Sequence, residues 1–333
     1  MSAKLASSAI LTDWGARPLS AASPLFDPLH YNNGAVWPFV TGFVALAEYN
    51  YHNAGAGLFA LEAIARTGFD QSLGRNPELM SGRLYKPLDT AVPQQFFATS
   101  MVLTPLIRGL LGIDVDVPRR HLTIAPHLPP DWDSVSVENV PVGASRISFV
   151  VRRGNGTITL SLRRRGGEAA PLDVEFAPAL PLGARVSEPR AETRRTPGDL
   201  HASVRASMMT DALELSVAHQ GGWSIVPPRM PPAIGARSSA PRVLSERLGD
   251  AAATSYVVAL EGLAGRSYAF RINAPDGAAA VRLEARLTNE GLAALAPVSG
   301  DAAMRLATIT FPSLGANADG YTATTITFTS RAP

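Results

Sequence analysis

The sequence predicts a multidomain chain of α and β structure, with helices over residues 1–115 followed by β-sandwich material to the end. Two observations lead there. Apolar residues recur at helical spacing in three long segments before residue 115, whereas after it short β-branched and aromatic runs alternate with turn residues. The chain also carries 27 Pro and 28 Gly without losing its apolar runs, which suits many loops and short strands rather than disorder.

The first helix opens at Trp37-Pro38, with proline at the favoured first-turn position, and runs through FVTGFVALAEYNYHN. The second covers GLFALEAIARTGFD, where Leu58, Leu61, Ile64 and Ala65 share a face. The third is QQFFATSMVLTPLIRGLLG, with a closing glycine suited to a C-cap and Pro105 expected to kink or divide it. All three are apolar on more than one side, as helices packed between neighbours are. Between the second and third lies SLGRNPELMSGRLYKPLDTAVP, longer than the usual connection of about 4–6 residues and therefore the segment to search for chemistry.

From about residue 119 the runs HLTIAPHLP, DSVSVENVPV, SRISFVVRR and TITLSLRRR read as strands, the last two joined at Gly154-Asn155-Gly156. After the Pro-rich stretch PPRMPPAIGARSSAPR come TSYVVALEG, RSYAFRI, RLATITF and TATTITFTS. The division expected is a helical domain over 1–115, a β-sandwich over 116–230 and a further β-rich region over 231–333, with one sandwich or two left open.

Composition excludes several classes. A net charge of +2 is too small to imply a polyanionic partner. Arg152, Arg153 and Arg163 to Arg165 lack interleaved aromatics, so solvated strand ends are expected there rather than a nucleic-acid surface. No stretch approaches the roughly 20 apolar residues of a membrane span, and the N-terminus does not resemble a signal peptide, so a cytoplasmic location is expected. There is no cysteine, and the six histidines show no metal-ligand spacing, so no metal site is expected. Gly55-Ala56-Gly57-Leu58-Phe59-Ala60 fits a dinucleotide pattern but sits in a helical context, and no cofactor is expected.

The first 115 residues are rich in groups that handle sugars. Aromatic and amide side chains (Trp14, Tyr31, Asn32, Asn33, Trp37, Tyr85, Gln94, Gln95) accompany the carboxylates Asp13, Asp27, Asp70, Glu78 and Asp89. Glycosyl hydrolysis needs two carboxyl groups, about 6.5–9.5 Å apart when the mechanism inverts. Each residue has a plainer role too. Glu78 is a loop glutamate, Trp37 equally a core aromatic, Asp13 a cap or a partner for Arg17, and Asp89 a cap for the third helix.

The segment DPLHYNNGAVWPFVTGFVALAEY resembles the signature of bacterial glycogen-debranching (amylo-α-1,6-glucosidase-like) proteins among the six-hairpin glycosidases, in which YxxGxVWP opens a barrel helix. NPELMSG followed by TAVPQQFFATSMVLTPLIRGLLG is similar to the family stretch that carries the general base. The resemblance covers about residues 10–150. It implies partial (α/α)6 toroid helices followed by β-sandwich domains, and an inverting mechanism with Glu78 as base. Trp37, Tyr31, Asn32, Tyr85 and Gln95 would then line the site for an oligosaccharide or polysaccharide substrate. The family's general acid lies upstream of the WP motif, so an upstream polypeptide is expected to complete the barrel and supply it. The alternative is a non-catalytic carbohydrate-binding or structural β-sandwich protein with a vestigial helical segment.

Overall fold

A computed structural model describes residues 2–70, 72–154, 156–167, 170–275, 282–288, 291–298 and 301–331. A short turn of helix, α1 (Ser2–Leu5), and a two-stranded ribbon, β1 (Leu11–Thr12) with β2 (Gly15–Ala16), precede three longer helices. These are α2 (Pro38–Asn50), α3 (Ala54–Thr67) and α4 (Phe96–Pro105), the last continuing as a π-helical turn over Leu106–Leu110. Pro38 occupies the first turn of α2, where its missing N–H costs nothing. Pro105 marks the point at which α4 widens into the π turn, since its ring removes a hydrogen bond of the regular ladder.

The helices form a small cluster, not a closed toroid. Val44, Ala45, Tyr49, Ala60, Leu61, Ile64 and Leu110 make its core with Leu11 and Ala16 of the ribbon. Helices α2 and α4 approach closely at Gly42, where a Cβ would lie 2.4 Å from Met101 Cβ. The GxGxxA pattern lies within α3, so it opens no phosphate-binding turn.

The rest of the described chain is β structure in two pairs of sheets. The first pair comprises β3 (Ile113–Asp116), β4 (His121–Ile124), β5 (Ser134–Val142), β6 (Ser145–Gly154), β7 (Thr157–Arg165), β8 (Leu172–Phe176), β9 (Ala179–Leu180), β10 (Arg185–Val186), β11 (Glu192–Arg195), β12 (Leu200–Met208) and β13 (Ala212–Gln220). One sheet runs β10-β13-β7-β6-β5 and the other β11-β12-β8-β4-β3. Burial alternates along β6 and β7, so Ile147, Phe149 and Val151 face inward with Ile158, Leu160 and Leu162. The register pairs Phe149 with Leu162 and Val151 with Leu160, which fixes which face is buried. Gly156 closes this hairpin at φ +71°, while Asn155 lies outside the described residues.

The second pair comprises β14 (Ser224–Val226), β15 (Arg242–Leu248), β16 (Ser255–Leu263), β17 (Ser267–Asn273), β18 (Arg282–Leu287), β19 (Leu292–Val298), β20 (Asp301–Thr310) and β21 (Tyr321–Arg331). Its sheets run β14-β17-β20-β19 and β15-β16-β21-β18 around Trp223, Tyr256, Phe270, Ile309 and Phe328. Two facing sheets over one apolar core are the arrangement of a β-sandwich, and the chain builds it twice. Ser224–Val226 pairs with β17, so the second sheet pair begins there rather than after the Pro-rich stretch.

Not all arginines of the long hairpin are solvated. Arg164 is buried, with its guanidinium on Asp211 Oδ1 (3.2 Å) and Ala170 O (2.8 Å). Arg153 donates to Pro129 O (2.9 Å) and Leu128 O (3.2 Å), tying β6 to the connection after β4. Strand ends that pack against a neighbouring loop draw their cations onto carbonyls, which the hairpin pattern alone does not reveal.

The helical cluster is joined to the second sandwich by buried polar contacts. Asp13 accepts from Ser239 N (2.7 Å), Ala240 N (3.0 Å) and Arg242 Nη2 (3.0 Å), and both members of the ion pair are buried. It does not pair with Arg17, which instead meets Asp319 at 2.8 Å. Ser8 N donates to Glu261 Oε2 (2.6 Å), and Asn53 reaches Leu244 O (3.0 Å).

Candidate functional site

Glu78 sits in the long connection between α3 and α4, and its backbone N–H donates to Val92 O at 2.9 Å. Its side chain is almost buried and accepts three hydrogen bonds. Tyr31 O–H (2.5 Å) and Gln95 Nε2 (3.1 Å) donate to Oε1, and Val92 N–H (3.1 Å) donates to Oε2. Bonding to this carboxylate pushes the Tyr31 phenol up, because its anion would face a negative oxygen.

Trp37 precedes α2 and is half-buried. Its indole N–H donates to Tyr31 O (2.8 Å), and the Tyr31 ring meets it edge-on at 4.7 Å. Gln95 precedes α4, its backbone N–H bonded to Asn76 O (2.9 Å). Its side-chain oxygen is buried without a partner among the described residues. The structure thus brings together Tyr31, Trp37, Glu78 and Gln95 across 64 residues of sequence, with Asn32 exposed beside Tyr31.

Tyr85, expected among the sugar-lining residues, is instead core. It is 2% exposed, packs with Trp14, Val36 and Met80, and its hydroxyl bonds Asp70. Backbone pairing of Tyr85 with Gly235 and Ala236 holds this loop against the Pro-rich stretch, which has no sequence signature. Trp14 is buried too, donating to Ser81 O at 2.8 Å. Asp89 does not cap the third helix. It is exposed, 3.8 Å from Lys86, while α4 starts seven residues later.

A second cluster has no spacing in the sequence that would announce it. His52, in the turn after α2, His127, after β4, and Asp199 and His201, at the start of β12, converge so that one ligand-type atom from each lies within 4.8 Å of the others. Burial pushes the Asp199 carboxyl up, but the three imidazoles around it outweigh that and hold the group well below the ordinary carboxylate range. The sequence hint is Asp199-x-His201, with His201 on β12 and Asp199 immediately before it. His52 and His127 are too distant in sequence for any spacing rule to join them.

A cavity of about 170 Å³ opens between α3 and the two sandwiches, lined by Glu62, Arg66, His127, Asp131, Asp199 and Arg229 among others. Asp131 pairs with Arg229 (2.6 Å) and Arg271 (2.8 Å), binding the connection after β4 to the second sandwich. Among the described residues no helix is long and apolar enough to cross a membrane. No protein-family model matches the chain, and no curated protein matches it.

Proposed function

We propose that this chain is the C-terminal part of a glycoside hydrolase of the (α/α)6 toroid type, acting on α-glucans or related oligosaccharides by an inverting mechanism. Glu78 is the general base, and Trp37, Tyr31, Asn32 and Gln95 face the sugar. The observation that carries this reading is the grip on Glu78: three donors hold the carboxylate in one orientation beside a half-buried tryptophan and an unsatisfied amide oxygen. A base must be positioned before it can take a proton from water, and an aromatic face with amide neighbours is what a pyranose ring meets.

The partner that supplies the general acid is an upstream polypeptide completing the toroid. What supports it is the apolar surface beside the site. Phe43 of α2 and Phe96, Phe97 and Leu103 of α4 are all more than half exposed, and Phe97 packs on Phe39 at 5.8 Å. Helices exposing such faces are built to be covered.

A second reading rests on the same hydrogen bonds. Both oxygens of Glu78 are engaged, so the carboxylate would serve as a purely structural clamp in a carbohydrate-binding or structural sandwich protein.

α-Glucosyl fluoride separates the two, because fluoride departs with little need of an acid. The enzymatic reading expects the chain to release fluoride, Glu78→Gln to lose at least about 100-fold of that rate, and maltooligosaccharides to stay intact. No fluoride release above the buffer rate, together with a lowered unfolding midpoint for Glu78→Gln, would instead establish the structural clamp.

A further inference from the structure

We propose that His52, His127, Asp199 and His201 bind one zinc ion, which fastens the helical cluster to the first sandwich. The argument starts from where the protons are. His127 Nδ1 lies 3.0 Å from Gly109 O, and His201 Nδ1 lies 2.7 Å from Ala177 O. Carbonyl oxygens only accept, so both Nδ1 atoms carry hydrogen, and each neutral ring is left with a lone pair on Nε2.

Those two Nε2 atoms face each other at 3.2 Å. Asp199 Oδ2 lies 3.1 Å from the one on His201 and 3.5 Å from the one on His127. Three acceptors therefore converge. A proton on His201 Nε2 relieves the two contacts of that atom and leaves His127 Nε2 against Asp199 Oδ2, whereas a divalent cation among them relieves all three. His52 Nδ1, 2.9 Å from the same carboxylate oxygen, supplies a fourth donor atom.

The spacing fits a small tetrahedral ion. Metal–ligand bonds of about 2.0–2.1 Å imply ligand–ligand edges of about 3.3–3.4 Å. Four of the six separations, 2.9, 3.1, 3.2 and 3.5 Å, bracket that value, and the remaining two stay within 4.8 Å. Three imidazoles and one carboxylate oxygen favour zinc over hard cations, which prefer all-oxygen shells.

The surroundings are those of a metal site. Each of the two Nδ1–H groups is fixed by a carbonyl, and Asp199 Oδ1 accepts from Thr196 O–H at 3.0 Å, so the ligands are oriented from behind. The backbone is shaped for the approach. A Cβ on Gly198 would lie 2.3 Å from His52 O, and His52 itself holds the left-handed conformation at φ +61°. The side chains are largely shielded, at 22% exposure for His52, 11% for His127, 12% for His201 and 7% for Asp199. His127 and Asp199 also line the 170 Å³ cavity, which gives an ion its way in.

The test uses the full chain without an affinity tag, stripped with EDTA and titrated with ZnCl2 by calorimetry and with CoCl2 by visible absorption. The proposal expects one zinc per chain, the intense visible bands of tetrahedral Co2+, and a higher unfolding midpoint with zinc. His201→Ala and Asp199→Asn should each weaken zinc binding at least about 100-fold, while His30→Ala, at an exposed residue outside the cluster, leaves it unchanged. The wild-type titrations decide the matter even if a variant folds poorly. No zinc uptake by the stripped wild-type chain, weak octahedral Co2+ bands, or equal loss in His30→Ala would overturn it.

Discussion

Replacing Asp13 with alanine should separate the helical cluster from the second sandwich in free-energy terms. The substitution removes the acceptor of three hydrogen bonds at 2.7–3.0 Å, two from backbone N–H groups and one from Arg242. It leaves the Arg242 guanidinium buried among Ala240 O (3.1 Å), Ser238 Oγ (3.4 Å) and the rings of Tyr321 (4.5 Å) and Phe59 (5.2 Å), none of them an anion, and its Nε is already without a partner among the described residues. Stranding one member of a buried pair costs about 3–5 kcal/mol. The upper half of that range is expected here, because two backbone donors lose their acceptor as well. The assay is urea unfolding followed by tryptophan fluorescence, with circular dichroism to check that both probes report one transition. Trp14 neighbours Asp13, and Trp223 lies in the core of the second sandwich, so the probes sit on both sides of the contact. Arg242→Met should restore much of the loss in the double variant, since no charge is then left unpaired. A loss below about 1 kcal/mol for Asp13→Ala, or single losses that simply add, would mean that Asp13 and Arg242 do not act as a coupled buried pair.

Glu246 gives a pH dependence whose sign is fixed. Burial pushes its carboxyl up to about 7, against the opposing hydrogen bond from Tyr256. A raised value means the neutral form is favoured in the folded chain, so this contribution is complete below about pH 4.5 and is lost as pH rises through about 7. Glu246→Gln should therefore gain on the wild type by roughly 2–3 kcal/mol between pH 5 and 8. A constant difference across that range would refute the assignment. At the exposed apolar face, Phe96→Ser with Phe97→Ser should reduce concentration-dependent self-association in sedimentation velocity, because 81% and 61% of those residues are open to solvent. Unchanged sedimentation would mean that this face is not the sticky one.

The local elements follow from short-range sequence signals. Pro38 set the start of α2, Pro105 the irregularity that ends α4, and alternating apolar residues the paired strands β6 and β7 with their buried face. These signals act within a few residues, through proline geometry and the two-residue period of a strand, so they are legible without a fold. The grouping of Tyr31, Trp37, Glu78 and Gln95 rested on linked motifs in one stretch of chain. Tyr85 shows the limit of that approach: its type and loop suited a sugar site, yet contact with Gly235 and Ala236, some 150 residues away, buried it. The pairing of Asp13 with Arg242 rather than Arg17, and the ring of His52, His127 and His201 around one carboxylate, arise from the packing of the folded chain. These are contacts between distant segments, set by how the sheets and helices dock. Sequence spacing carries no record of that geometry.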